Sequence, residues 1–298
     1  FLFFGLMLSD AAYGLILTTL CAIILKKYKP EGTTHRMIKM FMFCGLSTFM
    51  WGALFGGWFG NFFTVAAKTF FGKEFVIKPL WFDPLSEPMR LLVVSLILGA
   101  IHLFVGMGVQ AYMDIKDGRP LDALFDIGLW YLLLIGIVLF AFGGKLGAGA
   151  VGIGKIMAIV GAVGILLTGG RKKKGIFGKL TGGLGSLYGI TSYLSDVLSY
   201  SRLLALGLAT GVVAQVFNTL GSLAGGGIAG SILLIVVFAF GTVFNIAINA
   251  LGAFVHSCRL QYVEFFGKFY TGGGRPFAPF ERKTKYIKIL KEGNDNVK

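Results

Sequence analysis

Charge is what this sequence has least of. Only 14% of its 298 residues are charged while 55% are hydrophobic, against roughly 25% charged in an ordinary soluble domain. A soluble particle of this size would lack the polar side chains to clothe itself, which excludes soluble enzyme folds and disordered chains alike. Proline is scarce at 7 residues and cysteine scarcer at 3. Cys21, Cys44 and Cys258 stand singly within apolar runs. They read as small buried thiols, not as a disulfide scaffold or a metal site. The sequence has no Walker loop, nucleophile elbow, zinc spacing or dinucleotide fingerprint, so the chain is expected to be non-catalytic, with neither cofactor nor metal.

What is present points to a membrane. Glycine (45 residues) and phenylalanine (29 residues) abound, as they do where small residues let helices approach closely in lipid. The formal net charge is +14, which on a soluble chain would suggest nucleic acid. Here the cations cluster between apolar runs, at Lys26, Lys27 and Lys29, at Arg171 to Lys174 and at Arg282 to Lys288. Anionic headgroups and insertion topology select that pattern, so lipid is the expected partner and nucleic acid is not. The chain opens FLFFGLMLSD with neither a methionine nor a basic leader, and is expected to be part of a longer polypeptide.

A span needs about 20 mainly apolar residues. Eight segments qualify, at 1–25, 37–63, 89–112, 122–142, 155–168, 184–201, 203–220 and 231–269. The fold class is therefore an all-α polytopic membrane protein. Residues 64–88 interrupt the pattern as a polar loop, with WFDPLSEP forming turns and room for a short β-hairpin. The sixth segment, LGSLYGITSYLSDVLSYS, is rich in hydroxyls and must face protein or water. The eighth is nearly forty residues without proline and outruns a ~30 Å hydrocarbon slab, so it should tilt or protrude. The stretch 272–298 is basic and polar, and is expected to be a cytoplasmic tail. Eight spans with that tail inside would put Lys26 to Lys39 and Arg171 to Lys179 outside, against the positive-inside rule. Hydropathy leaves this conflict open.

Two arginines stand where charge is expensive, costing on the order of 3 kcal/mol at a bilayer centre. Arg202 lies in SYSRLLALGLATG and Arg259 in AFVHSCRLQYVEFF. Neither can neutralise itself by losing a proton. At about 100° per residue, Asn245, Asn249, Gly252, His256 and Arg259 form one narrow polar stripe about 20 Å long. Such alignment suits a wet half-pore or a groove against another polar helix. Arg202 shares a face with Ser195 and Ser199, hydroxyls on one side of it and small apolar residues on the other. Asp196 is a candidate for the same inlet. Glu264, five residues past Arg259, is a candidate acceptor at the end of the stripe, and His256 a candidate for proton transfer. Asp10 reads as a structural hydrogen-bonding group, and His102 as a packing histidine.

The segments LSYSRLLALGLATG and GAFVHSCRLQYVEFFGKFYTGGGRPFAPF closely resemble the last two membrane helices of subunit a of the V-type and A-type rotary ATPases, called subunit I in prokaryotes. FFGLMLSDAAYG resembles that family's first membrane helix. The resemblance covers essentially the whole chain as the C-terminal membrane domain (1–298), with the family's N-terminal cytoplasmic arm lying upstream. The short Gly-rich loops look bacterial or archaeal, which implies the prokaryotic plasma membrane.

The resemblance implies eight spans with the C-terminus cytoplasmic, and two long tilted helices cupping a rotating proteolipid ring. It implies packing helices over 1–180 and ion-translocating helices over 184–271. By position, Arg202 would face the ring carboxylates and Arg259 would assist it. The implied function is that of a stator subunit with two half-channels, coupling H⁺ or Na⁺ movement to rotation while ATP is hydrolysed elsewhere. The implied partners are the ring and, through the arm, the peripheral stalk and ATPase head. One half-channel is expected along Asn245, Asn249, His256 and Glu264, the other along Ser195, Asp196, Ser199 and Tyr200. Eukaryotic relatives carry a histidine where this chain has Thr210 and a glutamate where it has Asn249, so relay roles do not transfer to those positions. A secondary ion or solute transporter would also place charges in its helices. It usually repeats its own halves, however, and the SYSRL and HSCRL patterns have no second copy.

Overall fold

A computed structural model describes residues 1–72, 77–145, 148–171, 176–223, 227–270, 272–275, 277, 279 and 280. Lys172 to Lys174 of the basic loop, residues 73–76 of the polar loop and residues 281–298 of the tail lie outside the described residues. Among the described residues the chain is helical and has no strand. In hydrocarbon every N–H and C=O must bond internally, and a helix achieves this within one segment.

The apolar run at the start is not one helix. It divides into α1 (Leu2–Leu8) and α2 (Ala11–Tyr28). Ser9 adopts a left-handed conformation (φ 37°) and Asp10 an extended one, so the helix stops and restarts. The Asp10 carboxylate caps α2, accepting from the N–H groups of Ala12 and Tyr13 at 3.0 and 3.2 Å. Its other oxygen accepts from Gly60 N–H at 3.0 Å. Ala11 N–H donates to the Gly57 carbonyl at 2.8 Å, and the Ser9 hydroxyl to the Gly207 carbonyl at 3.3 Å. A break this deep survives because the backbone groups it frees find such partners. The structural role read for Asp10 takes this form.

Helix α3 (Gly32–Phe55) returns along α2 at near-backbone contact. A Cβ on Gly52 would fall 2.0 Å from the Ala11 nitrogen, so only glycine fits there. The polar loop expected over 64–88 begins instead with a helix, α4 (Phe62–Phe71). Its aromatic start explains this, since Phe62 stacks on Phe238 with centroids 3.8 Å apart, and Phe59 meets the same ring edge-on. The WFDPLSEP turn holds through Asp83, which accepts from Leu85 N–H at 3.0 Å, while Trp81 N–H reaches back to the Leu54 carbonyl.

Helix α5 (Pro88–Lys116) is followed by the single turn α6 (Pro120–Ala123), a π-turn over Leu124–Gly128, and α7 (Leu129–Phe142). Next come α8 (Ala148–Thr168), α9 (Ile176–Ser199), α10 (Ser201–Ser222) and α11 (Ile228–Arg259). Just past α8, Arg171 bonds Asp122 of α6 at 2.5 Å and Asp126 of the π-turn at 2.8 Å, tying that end to the start of the α7 segment. Seven described stretches are long and apolar enough to cross a membrane. Eight are expected from the sequence; the count differs because the expected sixth and seventh segments fall in one run, Thr181–Ser222, which a break at Tyr200 divides into α9 and α10. At 1.5 Å per residue α11 is about 48 Å long, well beyond a hydrocarbon slab.

The core lies where α1 wedges among α3, α10 and α11. Phe4, Leu6, Leu8, Tyr13, Tyr200, Leu203 and Leu260 are buried together there. A second cluster of Met107, Ile127, Trp130, Leu133 and Ile165 joins α5, the π-turn, α7 and α8. Cys21 and Cys44 are buried, and all three cysteines are unpaired. The α1–α2 break depends on one carboxylate. Asp10→Ala should therefore cost about 3 kcal/mol, two buried donors and one half-buried donor losing their acceptor. Asp10→Asn, which keeps one oxygen for Ala12 and Tyr13, should cost clearly less. Thermal unfolding of both variants in detergent measures the difference.

Candidate functional site

Tyr200 sits at the joint between α9 and α10, and the joint is tight. Tyr200 N–H bonds the Val197 carbonyl at 3.1 Å, and Leu203 N–H bonds the Tyr200 carbonyl at 3.0 Å. These three-residue steps replace the usual four-residue ones, a local tightening that recurs at functional hinges. Arg202 follows in the first turn of α10.

Opposite it, α11 does not end as an α-helix. Leu260–Phe265 forms a π-turn directly after Arg259. On an α-helix, residues five apart lie about 140° apart, but i→i+5 bonding brings them back nearly in line. The π-turn therefore folds Glu264 towards the arginines. Arg202 Nη2 donates to Ser199 Oγ, and that hydroxyl donates to Glu264 Oε1 at 2.5 Å. The same oxygen is 3.6 Å from Arg202 Nη2 and 3.9 Å from Arg259 Nε. Glu264 is sealed at 3% exposure, Arg202 is 23% exposed and Arg259 57%. Two permanent cations thus share one buried carboxylate, leaving positive charge in excess. Arg202 Nη1, Glu264 Oε2 and His256 Nδ1 are buried without a hydrogen-bond partner among the described residues.

Other residues singled out from sequence occupy distinct places. Asn245 and Asn249 are buried, where Asn245 donates to Tyr13 Oη at 3.0 Å and to the Thr210 carbonyl at 3.1 Å. Asn249 donates to the Asn245 carbonyl at 3.1 Å and to its side-chain oxygen. Gly252 brings α11 against Leu206 of α10. His256 is half-buried, so the stripe passes from dry helix contact at Asn245 to exposure at Arg259. Asp196 pairs with Lys268, whose ammonium also lies 4.2 Å from the Tyr193 ring centroid. Ser195 is exposed, and Tyr200 is fully buried. Sequence reasoning missed Lys268, and no pattern in VEFFGKFY signals its partner on α9. It also missed the link between Tyr200 and His102, whose Oη and Nδ1 are 2.7 Å apart.

Around this cluster the helices present bare hydrocarbon. Val212, Val216 and Leu220 of α10 are exposed, as are Ile232, Val236, Phe240, Val243, Leu251 and Val255 of α11. Arg259 sits at the end of the α11 face, four residues past Val255. Among the described residues no three His, Cys, Asp or Glu side chains converge as metal ligands.

Residues 190–282, which carry both arginines, match the V-type ATPase 116 kDa subunit family. The chain is 35% identical to A-type ATP synthase subunit I of Methanocaldococcus jannaschii, over 96% of its own length and 44% of that protein's. It is 36% identical to A-type ATP synthase subunit I of Thermococcus kodakarensis, over 96% of this chain and 43% of the relative. It is 23% identical to V-type ATP synthase subunit I of Chlamydia trachomatis, over 95% and 50%. The chain thus spans about half the length of these relatives or less. The segment bearing Arg202, Glu264 and Arg259 is thus similar to the V-type ATPase 116 kDa subunit family, and the chain around it, with seven described stretches long and apolar enough to cross a membrane, is similar to subunit I of the A-type and V-type ATP synthases.

Proposed function

We propose that this chain is the membrane part of a rotary-ATPase stator subunit, in which Arg202 exchanges H⁺ or Na⁺ with carboxylates of a proteolipid ring. The observation that carries this reading is the incomplete neutralisation of Arg202. One carboxylate is shared between two arginines, and Nη1 of Arg202 is buried without a hydrogen-bond partner among the described residues. A guanidinium in a water-poor site favours a second anion, and the exposed apolar faces of α10 and α11 offer a surface for an apolar partner that carries one.

The mechanism follows from electrostatics. A ring carboxylate crosses lipid neutral, with its ion bound. Beside Arg202 its ionised form is favoured, because an opposite charge within about 4 to 6 Å stabilises it. The ion departs through one half-channel, and the next carboxylate reloads from another. A fixed cation between the two channels blocks leakage, so ion movement requires rotation. His256 and Arg259 line the wet part of one channel, Glu264 is buried behind them, and Asn245 and Asn249 form its floor. Ser195, Asp196 and Ser199 line the other, while Tyr200, expected beside them, is buried behind them at the α9–α10 joint. The hydrogen bond between Ser199 and Glu264 supports this, since it joins the two sets at the arginine. Residues 1–180 act as the packing scaffold and 184–271 as the ion-translocating part, in a prokaryotic plasma membrane with the C-terminus cytoplasmic. The arm upstream connects to the peripheral stalk and ATPase head.

In the assembled complex, Arg202→Ala should abolish ATP-driven ion uptake into vesicles, and Arg202→Lys should not restore it, because an ammonium lacks the fork that serves two acceptors. Full pumping by Arg202→Ala would sink the assignment. Arg259→Ala should lower the rate by at most about fivefold without abolishing it, since its longer and more exposed contact with Glu264 is worth no more than roughly 1 kcal/mol. Ser199→Ala should slow uptake while leaving ring assembly intact, as judged by co-purification.

A further inference from the structure

One polar side chain near the arginine cluster has no part in the exchange described above. His102 of α5 hydrogen-bonds Tyr200 Oη through Nδ1 at 2.7 Å. Its ring also stacks on Phe265, with centroids 4.3 Å apart and planes 4° from parallel. Phe3 meets both His102 and Tyr200 edge-on, at 5.0 and 5.7 Å. The neighbouring positions on the same face of α5 are glycines. A Cβ on Gly99 would fall 2.4 Å from the Tyr200 ring, and one on Gly106 would fall 3.2 Å from Phe265. Gly99, His102 and Gly106 lie at helical spacing, so one face of α5 is shaped to hold these two rings.

The two rings flank the candidate site in sequence. Tyr200 is the joint between α9 and α10, two residues before Arg202. Phe265 ends the π-turn, one residue after Glu264. A tyrosine hydroxyl buried among membrane helices needs a partner, and His102 supplies it.

We infer that His102 is a positioning residue for the arginine site, gripping Tyr200 by a hydrogen bond and Phe265 by its ring face so that the α9–α10 joint is fixed against the π-turn and the separation of Arg202 and Glu264 is set. Its effect on transport rests on the proposed role of Arg202, but its effect on geometry does not. Phenylalanine at 102 would keep the stack and lose the bond, glutamine would keep a hydrogen-bonding group and lose the stack, and leucine would lose both.

The test uses the full chain in its assembled complex, with the native cysteines replaced and spin labels at Leu198 and Val263, which are both exposed. His102→Leu should broaden and shift the label distance, while His102→Gln should stay close to the parent. Coupled ion uptake should fall about tenfold in His102→Leu, the factor that one lost buried hydrogen bond of ordinary strength corresponds to. It should be substantially rescued in His102→Gln. His102→Phe and Tyr200→Phe remove the same bond, so the double variant should be no worse than either single one. An unchanged label distance in His102→Leu, or additive losses in the double variant, would overturn the inference. If His102→Leu does not assemble with a ring, the distance measured in native membranes decides the matter. Normal uptake by Arg202→Ala alongside a His102-dependent distance would reject the exchange role and leave the positioning role standing.

Discussion

A guanidinium cannot shed its proton, and the structure around Arg202 answers that constraint. Placed among membrane helices, the charge must be met by hydrogen bonds and by an anion. Ser199 and Glu264 meet it in part. They come from α9 and from the π-turn after α11, so the cost of one charge links the two ends of the chain's last third. The π-turn follows from the same constraint. Without it Glu264 would face away from Arg259, and the buried carboxylate would have no cation to answer.

The rest of the molecule holds this small cluster still. Glycines at backbone contact let α2 and α3 pack as one slab, with Gly52 against Ala11. That slab carries α1, whose buried residues form the floor beneath α10 and α11. The polar contacts of Tyr13, Asn245 and Thr210 then pin α11 to α10 and α2. Dispersion and backbone proximity do most of this work, since lipid offers little hydrophobic drive for helix association. The few internal polar bonds serve to choose register.

Much of this was legible in the residues. Eight apolar segments, the two costly arginines and the stripe from Asn245 to Arg259 follow from hydropathy and helical spacing alone. The break at Ser9 and Asp10 did not, because the apolar run continues through it and part of its support comes from Gly57, Gly60 and Gly207, far along the chain. Its local half was visible in LSDAAY, where an aspartate precedes a helical run as an N-cap. The α4 helix was hidden because its aromatic start packs against Phe238, nearly 180 residues later. Glu264 was found as a candidate, but its facing was not, since a spacing of five assigns it to the wrong side of an α-helix. The Asp196–Lys268 pair had no signal at all. Partners that meet only through tertiary structure leave no period to read.

The interrupted first helix also constrains how the chain is made. Ser9 takes its acceptor from Gly207, Tyr13 its partner from Asn245, and Met7 meets Thr210 and Ser257. These contacts join the beginning of the chain to groups some 200 or more residues downstream. The opening segment leaves the ribosome long before its partners exist, and must wait in the bilayer with its polar groups provisionally met. Closing such distant contacts is the slow part of folding. Settling of α1 and α2 is therefore gated by arrival of the hairpin of α10 with α11, and without that hairpin their polar groups would be left half-met.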